Sequence, residues 1–93
     1  MSISQEASTL LRLAVEDPGG IFLYQETMGK TTIQTNDQDL TSNSDARELA
    51  SWREVPGELI RLGLASETGP GVFRLTKSGF AYGDALAKGK KFL

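Results

Sequence analysis

Apolar residues first recur along this chain at helical spacing. Ile3, Ala7, Leu10, Leu11 and Ala14 alternate with Gln5, Glu6, Arg12 and Glu16 in the pattern of one buried face. Ser2 or Ser4 can cap the start and Pro18-Gly19-Gly20 stops the run, so the spacing predicts a helix over 3–16. The period then shortens. Ile21 to Glu26 is rich in β-branched and aromatic residues, Met28-Gly29-Lys30 supplies a turn, and Thr31 to Thr35 alternates again. This is a hairpin over 21–35, with Gly29 expected in a left-handed conformation that other residues adopt only with strain. One face of its first strand carries Ile21 and Leu23, the other Phe22 and Tyr24. Both sets are apolar, so the strand is either covered on both sides or leaves an aromatic patch exposed. The stretch NDQDLTSNS at 36–44 reads as a polar loop.

From Ser44 to Leu62 the pattern is helical again, with Leu49, Trp52, Val55, Leu59 and Leu62 in one stripe. Pro56 interrupts it, because a proline ring clashes with the carbonyl four residues back and removes one hydrogen bond. Either one helix bends at Pro56 or a second helix begins at Ser51-Trp52-Arg53-Glu54, which has capping-box spacing. The single bent helix is preferred, since the stripe runs through without a break in register. Gly63 ends it. Leu64 to Glu67 and Val72 to Leu75 are two short strands around a turn at Thr68-Gly69-Pro70-Gly71. Thr76 caps a last helix through about Ala87, with Phe80, Gly83 and Leu86 facing inward. Gly79 and Gly83 lower its helix propensity and imply close contact with another element.

The segment LIRLGLASETGPGVFRLTKSGFAYGDAL resembles the C-terminal half of prokaryotic winged-helix domains of MarR-like and PadR-like regulators. The matching residues are Leu59, Leu62, Gly63 and Leu64 at the helix end, then Leu75, Thr76 and Gly79 at the entry to the last helix. The resemblance covers about a third of the chain. It implies an α+β, winged-helix-like fold of three helices with a β-hairpin inserted after the first and a short two-stranded wing. In those domains a short helix precedes the recognition helix, whereas here the hairpin at 21–35 takes its place. The whole arrangement is closer to small uncharacterised prokaryotic winged-helix-like domains, some appended to larger proteins.

Composition narrows the chemistry. The 93 residues suit one domain, expected over 1–88 with a flexible basic tail at 89–93. There is no cysteine and no histidine, which removes disulfides, thiolate chemistry, the usual general base and the commonest zinc ligand. No acid–base pair is recognisable, so an enzyme is not expected, nor any cofactor or metal. The N-terminus has acids and no apolar block of signal-peptide length, and no run approaches the ~20 apolar residues that span a bilayer. A cytoplasmic location is the default. Met28-Gly29-Lys30-Thr31-Thr32 looks like the end of a phosphate-binding loop, but the upstream glycine and the following helix are missing. Asp37 and Asp39 look like part of a calcium loop, yet position six is not glycine and position twelve, Glu48, already lies in the expected helix. A capping and turn role fits them better.

Net charge is −2 and uneven: residues 1–63 hold five basic and ten acidic residues, and residues 64–93 hold five basic and two acidic. Arg74, Lys77, Lys88, Lys90 and Lys91 are therefore the candidate phosphate contacts. Against DNA reading, the middle helix carries Arg47, Arg53 and Arg61 against Asp45, Glu48, Glu54 and Glu58, a net −1 that phosphate would repel. Those charges are expected to pair along a solvated helix face, and Trp52 is expected in the core. The candidate partner surface is Phe22 and Tyr24 on the hairpin, with the C-terminal helix as a second surface. The leading expectation is a small non-catalytic protein-binding module, acting on a protein partner or a second copy. The alternative is a DNA-binding regulator that uses the wing and the basic C-terminal end.

Overall fold

A computed structural model describes residues 3–28, 30–42 and 44–88. The order of elements is α1 (Gln5–Ala14), β1 (Ile21–Thr27), β2 (Lys30–Thr35), β3 (Gln38–Asp39), α2 (Ala46–Arg61), β4 (Ala65–Gly69), β5 (Val72–Leu75) and α3 (Lys77–Ala87). The architecture is α+β, three helices against one five-stranded antiparallel sheet.

Each helix begins on a side chain that satisfies its free amides. Ser4 accepts from the Ala7 amide at 3.2 Å, so α1 starts after Ser4 and not at Ile3 as expected. The Ser4 amide and hydroxyl also donate to both carboxylate oxygens of Glu58, at 2.8 and 2.7 Å, which fixes the start of α1 on α2. Asp45 caps α2 and forms a capping box with Glu48. Residues 46–61 then form one helix that contains Pro56, and the Ser51–Glu54 box is not used. The lost hydrogen bond is outweighed by burial. Trp52, Val55, Pro56 and Leu59 are all buried, at roughly 1.5–3 kcal/mol for each large apolar side chain, against ~3 kcal/mol for an interior proline.

The turn after α2 shows why the motif around Gly63 and Thr76 has its spacing. Gly63 has φ +74, and the Leu64 and Gly63 amides donate back to the Leu59 and Ile60 carbonyls at 2.9 and 3.0 Å, a Schellman turn. Thr76 accepts from the Gly79 amide at 3.1 Å and donates its hydroxyl to the Gly63 carbonyl at 2.7 Å. One threonine thus caps α3 and holds it to the end of α2. At Gly79 a Cβ would overlap the Leu64 carbonyl oxygen, and at Gly83 one would overlap Val15, so both glycines mark the close contacts expected of them.

Two expectations about the strands are corrected. The wing is not a separate two-stranded ribbon: β1 pairs with both β2 and β5, giving the order β3-β2-β1-β5-β4, which is not the usual winged-helix strand order. The Tyr24 amide donates to the Gly71 carbonyl at 2.8 Å, and a Cβ on Gly71 would overlap the Tyr24 carbonyl oxygen. The polar loop at 36–44 also contains the short strand β3. Asn36 and Asp37 both take left-handed backbone, φ 51 and 62, which folds Gln38 back onto Thr35 across two residues. In the β1–β2 turn Met28 is left-handed, φ 52. The expectation for Gly29 lies outside the described residues, as does the expected tail at 89–93.

The helices pack on one face of the sheet, where Phe22, Ile33, Phe73 and Leu75 are buried with Ala7, Leu10, Leu11, Trp52, Val55 and Leu59. Phe22 and Phe73, paired in register, stack with ring centroids 5.0 Å apart and planes 6° from parallel. Such a pair adds about 0.5–1.5 kcal/mol beyond the burial of its area.

Candidate functional site

Side chains alternate across a strand, so the register assigns a face to every residue. Phe22, Tyr24, Ile33 and Phe73 point toward the helices, and Ile21, Leu23, Gln25, Thr32, Gln34, Val72, Arg74 and Ser66 point away. None of the second group is buried, and no helix among the described residues covers this face of the sheet. At its centre Ile21 and Leu23 on β1 and Val72 on β5 form an aliphatic strip, with Leu23 directly opposite Val72.

The strip is flanked asymmetrically. On the β5 side Arg74 lies opposite Ile21, exposed, with its Nε donating to the Gly19 carbonyl at 3.3 Å. On the β2 side a cavity of about 240 Å³ has Asp17, Leu23, Gln34, Asn36 and Asp37 among its lining residues. Asp17 accepts from the Gly19 and Ile21 amides at 2.9 and 3.1 Å, so its place is fixed by the turn that leads into β1. Asp37 is exposed on the left-handed β2–β3 turn.

The sequence placed Phe22 and Tyr24 on one strand face correctly, but that face is the inner one. Phe22 is fully buried against Phe73, which leaves it no surface for a partner. Tyr24 is half-buried against the core, and its hydroxyl donates to the Glu26 carboxylate. Burial pushes the Tyr24 hydroxyl up to about 12, with the hydrogen bond and charge of Glu26 adding to the rise and Thr31 and Arg53 opposing it. Arg53 of α2 donates to the Thr31 hydroxyl at 2.8 Å and lies 3.7 Å from Glu26. This group ties the hairpin to α2. Nor is β1 an edge strand, since both its sides are paired; the edges are β3 and β4.

Several charges of α2, expected to pair along the helix, are engaged elsewhere. Asp45 and Glu48 close the cap, Glu58 holds Ser4, and Arg53 reaches across to β2. The candidate phosphate contacts are dispersed as well. Arg74 is on the open face and Lys77 opens α3, while Lys88 follows its last residue, about 16 Å along the helix. Lys90 and Lys91 lie outside the described residues. Asp39 accepts from the Thr41 amide and hydroxyl, both at 2.8 Å, the turn role expected of it. Among the described residues no group of three acidic side chains could hold a metal, and no helix is long and apolar enough to cross a membrane. Comparison with protein-family models, curated proteins and solved structures gives no match.

Val72 and Asp17 had not been singled out, and Asp37 had been read only as a turn residue. The alternation of β1 held a signal for the strip, since it set Ile21 and Leu23 on a face of their own. Finding Val72 and the flanking charges needed the pairing of β1 with β5.

Proposed function

We propose that this protein is a small non-catalytic protein-binding module on a winged-helix-like scaffold, and that its working surface is the open face of the sheet. One observation carries the reading. A solvated antiparallel face ordinarily alternates to polar residues, yet here Ile21, Leu23 and Val72 stand together on neighbouring strands, half-buried, with no element among the described residues packed over them. The scaffold reading rests on the order α2, β4, β5, α3 and on the Gly63–Thr76–Gly79 junction. A protein partner or a second copy suits the face better than nucleic acid does, because among the described residues Arg74 is the one basic residue beside the strip and carboxylates border its other side.

The test is site-specific photo-cross-linking in the native host. A photoreactive residue at position 23 should give a protein adduct, and one at the exposed Ser78 of α3 should not. Adducts from position 78 alone, or from neither position, defeat the proposal.

A further inference from the structure

We infer that the partner of the open face is a second copy of this chain, related by a two-fold axis that runs along β1 in the plane between two facing sheets. The inference rests on the reading that the open face binds protein, and it names the occupant. Two facing sheets pack about 10 Å apart with their strands roughly aligned, and a two-fold contact must match each patch to its own symmetry mate. An axis along β1 keeps the level of a residue along the strand and exchanges the two sides. Ile21 and Leu23 lie on the axis and meet their own copies.

The register decides what meets Arg74. Arg74 pairs with Ile21, one strand to the β5 side. Phe22 pairs with Thr35, so the position level with Ile21 on the β2 side is Asn36, in the turn that carries Asp37. The two-fold operation therefore lays Arg74 of each copy over the Asn36–Asp37 turn of the other, where Asp17 and Asp37 border a cavity of about 240 Å³. That volume is more than ten times the ~15 Å³ a single water needs, enough to admit a long side chain. By the same operation Val72 falls over the stem of Gln34, which is level with Leu23. Apolar positions thus meet apolar positions along the axis, and the basic side of each copy meets the acidic side of the other.

The size of the face sets the strength. Five strands about 4.8 Å apart and about five residues long give a footprint of roughly 300 Å². Two such faces bury about 600 Å² together, below the size of a stable interface, so the dimer should be weak and exchange quickly, with a dissociation constant on the order of 100 µM.

Sedimentation equilibrium up to about 1 mM protein tests the inference, with wild type, Arg74→Glu, Asp37→Lys, the double exchange and Leu23→Glu. All the changed residues are exposed or half-buried, and a melting curve for each variant checks that it folds. Symmetry counts every substitution twice, so each single charge reversal should weaken the dimer by about tenfold or more. The double exchange should return to within about threefold of wild type, and Leu23→Glu should be monomeric. A monomeric wild type at the highest concentration overturns the inference. So does a dimer indifferent to Arg74 and Asp37, or a double exchange no better than the single reversals. If the wild type is monomeric while position 23 cross-links to a different protein, the second copy is excluded and the binding reading stands.

Discussion

Two glycine-to-alanine changes in helices should move stability in opposite directions, and the difference measures how tightly α3 is seated. At Gly57 on α2 the residue is exposed, and a Cβ would meet only Arg61 Nη1 at 3.7 Å, ordinary contact. Alanine there gains helix propensity and restricts the unfolded chain, a stabilisation of about 0.5–1 kcal/mol. Gly79 on α3 offers the same ~1 kcal/mol of propensity, but its Cβ would overlap the Leu64 carbonyl oxygen and lie 3.0 Å from the carbonyl carbon and 3.3 Å from Leu75 Cβ. Backbone cannot rotate aside, so the first turn of α3 must shift. That shift strains two bonds at once: the Thr76 amide to the Leu64 carbonyl at 3.0 Å and the Thr76 cap on the Gly79 amide at 3.1 Å. Overpacking of about 1–3 kcal/mol and about 1 kcal/mol for each weakened bond outweigh the propensity gain. Gly79→Ala should therefore be less stable by about 2 kcal/mol. For a domain of this size that lowers the Tm by roughly 10 °C, while Gly57→Ala should raise it by about 4 °C. Urea denaturation with parallel thermal melts reads both. A Gly79→Ala protein as stable as wild type would refute the packing argument at the α2–α3 junction.

Three further outcomes follow from other parts of the molecule. Phe22→Ala should lose about 3–5 kcal/mol in the same assay, because it empties the site against Phe73; a loss below about 1 kcal/mol would mean that the ring is not in the core. Tyr24 has its pKa raised in the folded state, so the stability it lends is complete below about 10, the ordinary value, and is lost as pH rises toward about 12. Tyrosinate absorbance in a Tyr82→Phe background should show that late ionisation, and titration near 10 would remove the Tyr24–Glu26 contact from the account. Titration with random duplex DNA should show no steep salt slope, because Arg74 lies on the sheet and Lys77 and Lys88 stand at opposite ends of α3; strong binding at low salt would favour the regulator reading.

The elements legible in the sequence were those with a local cause. Ser4 and Thr76 start α1 and α3, Gly63 ends α2, and all three act within a few residues of themselves; Asp45, which caps α2, had been read only as one of that helix's charges. What stayed hidden depends on distant partners. Gln38 and Asp39 are exposed and polar, with no apolar alternation to mark β3, and only the left-handed pair before them returns the chain to β2. The β1–β5 pairing joins residues some fifty positions apart, and each hairpin already reads as complete in itself. The same gap explains the candidate site. Alternation separated Ile21 and Leu23 from Phe22 and Tyr24, but both sets are apolar, so the strand alone does not say which faces in. Phe73 settles that by stacking on Phe22, and the aliphatic pair is thereby left outside.

The most direct measurement follows the backbone amide resonances from dilute to concentrated protein. Shifts should gather on β1, on Val72 and Arg74 of β5 and on the Asn36–Asp37 turn, while α1, α2 and α3 stay unchanged. Shifts confined to the helical layer, or no shifts at any concentration, would contradict the dimer.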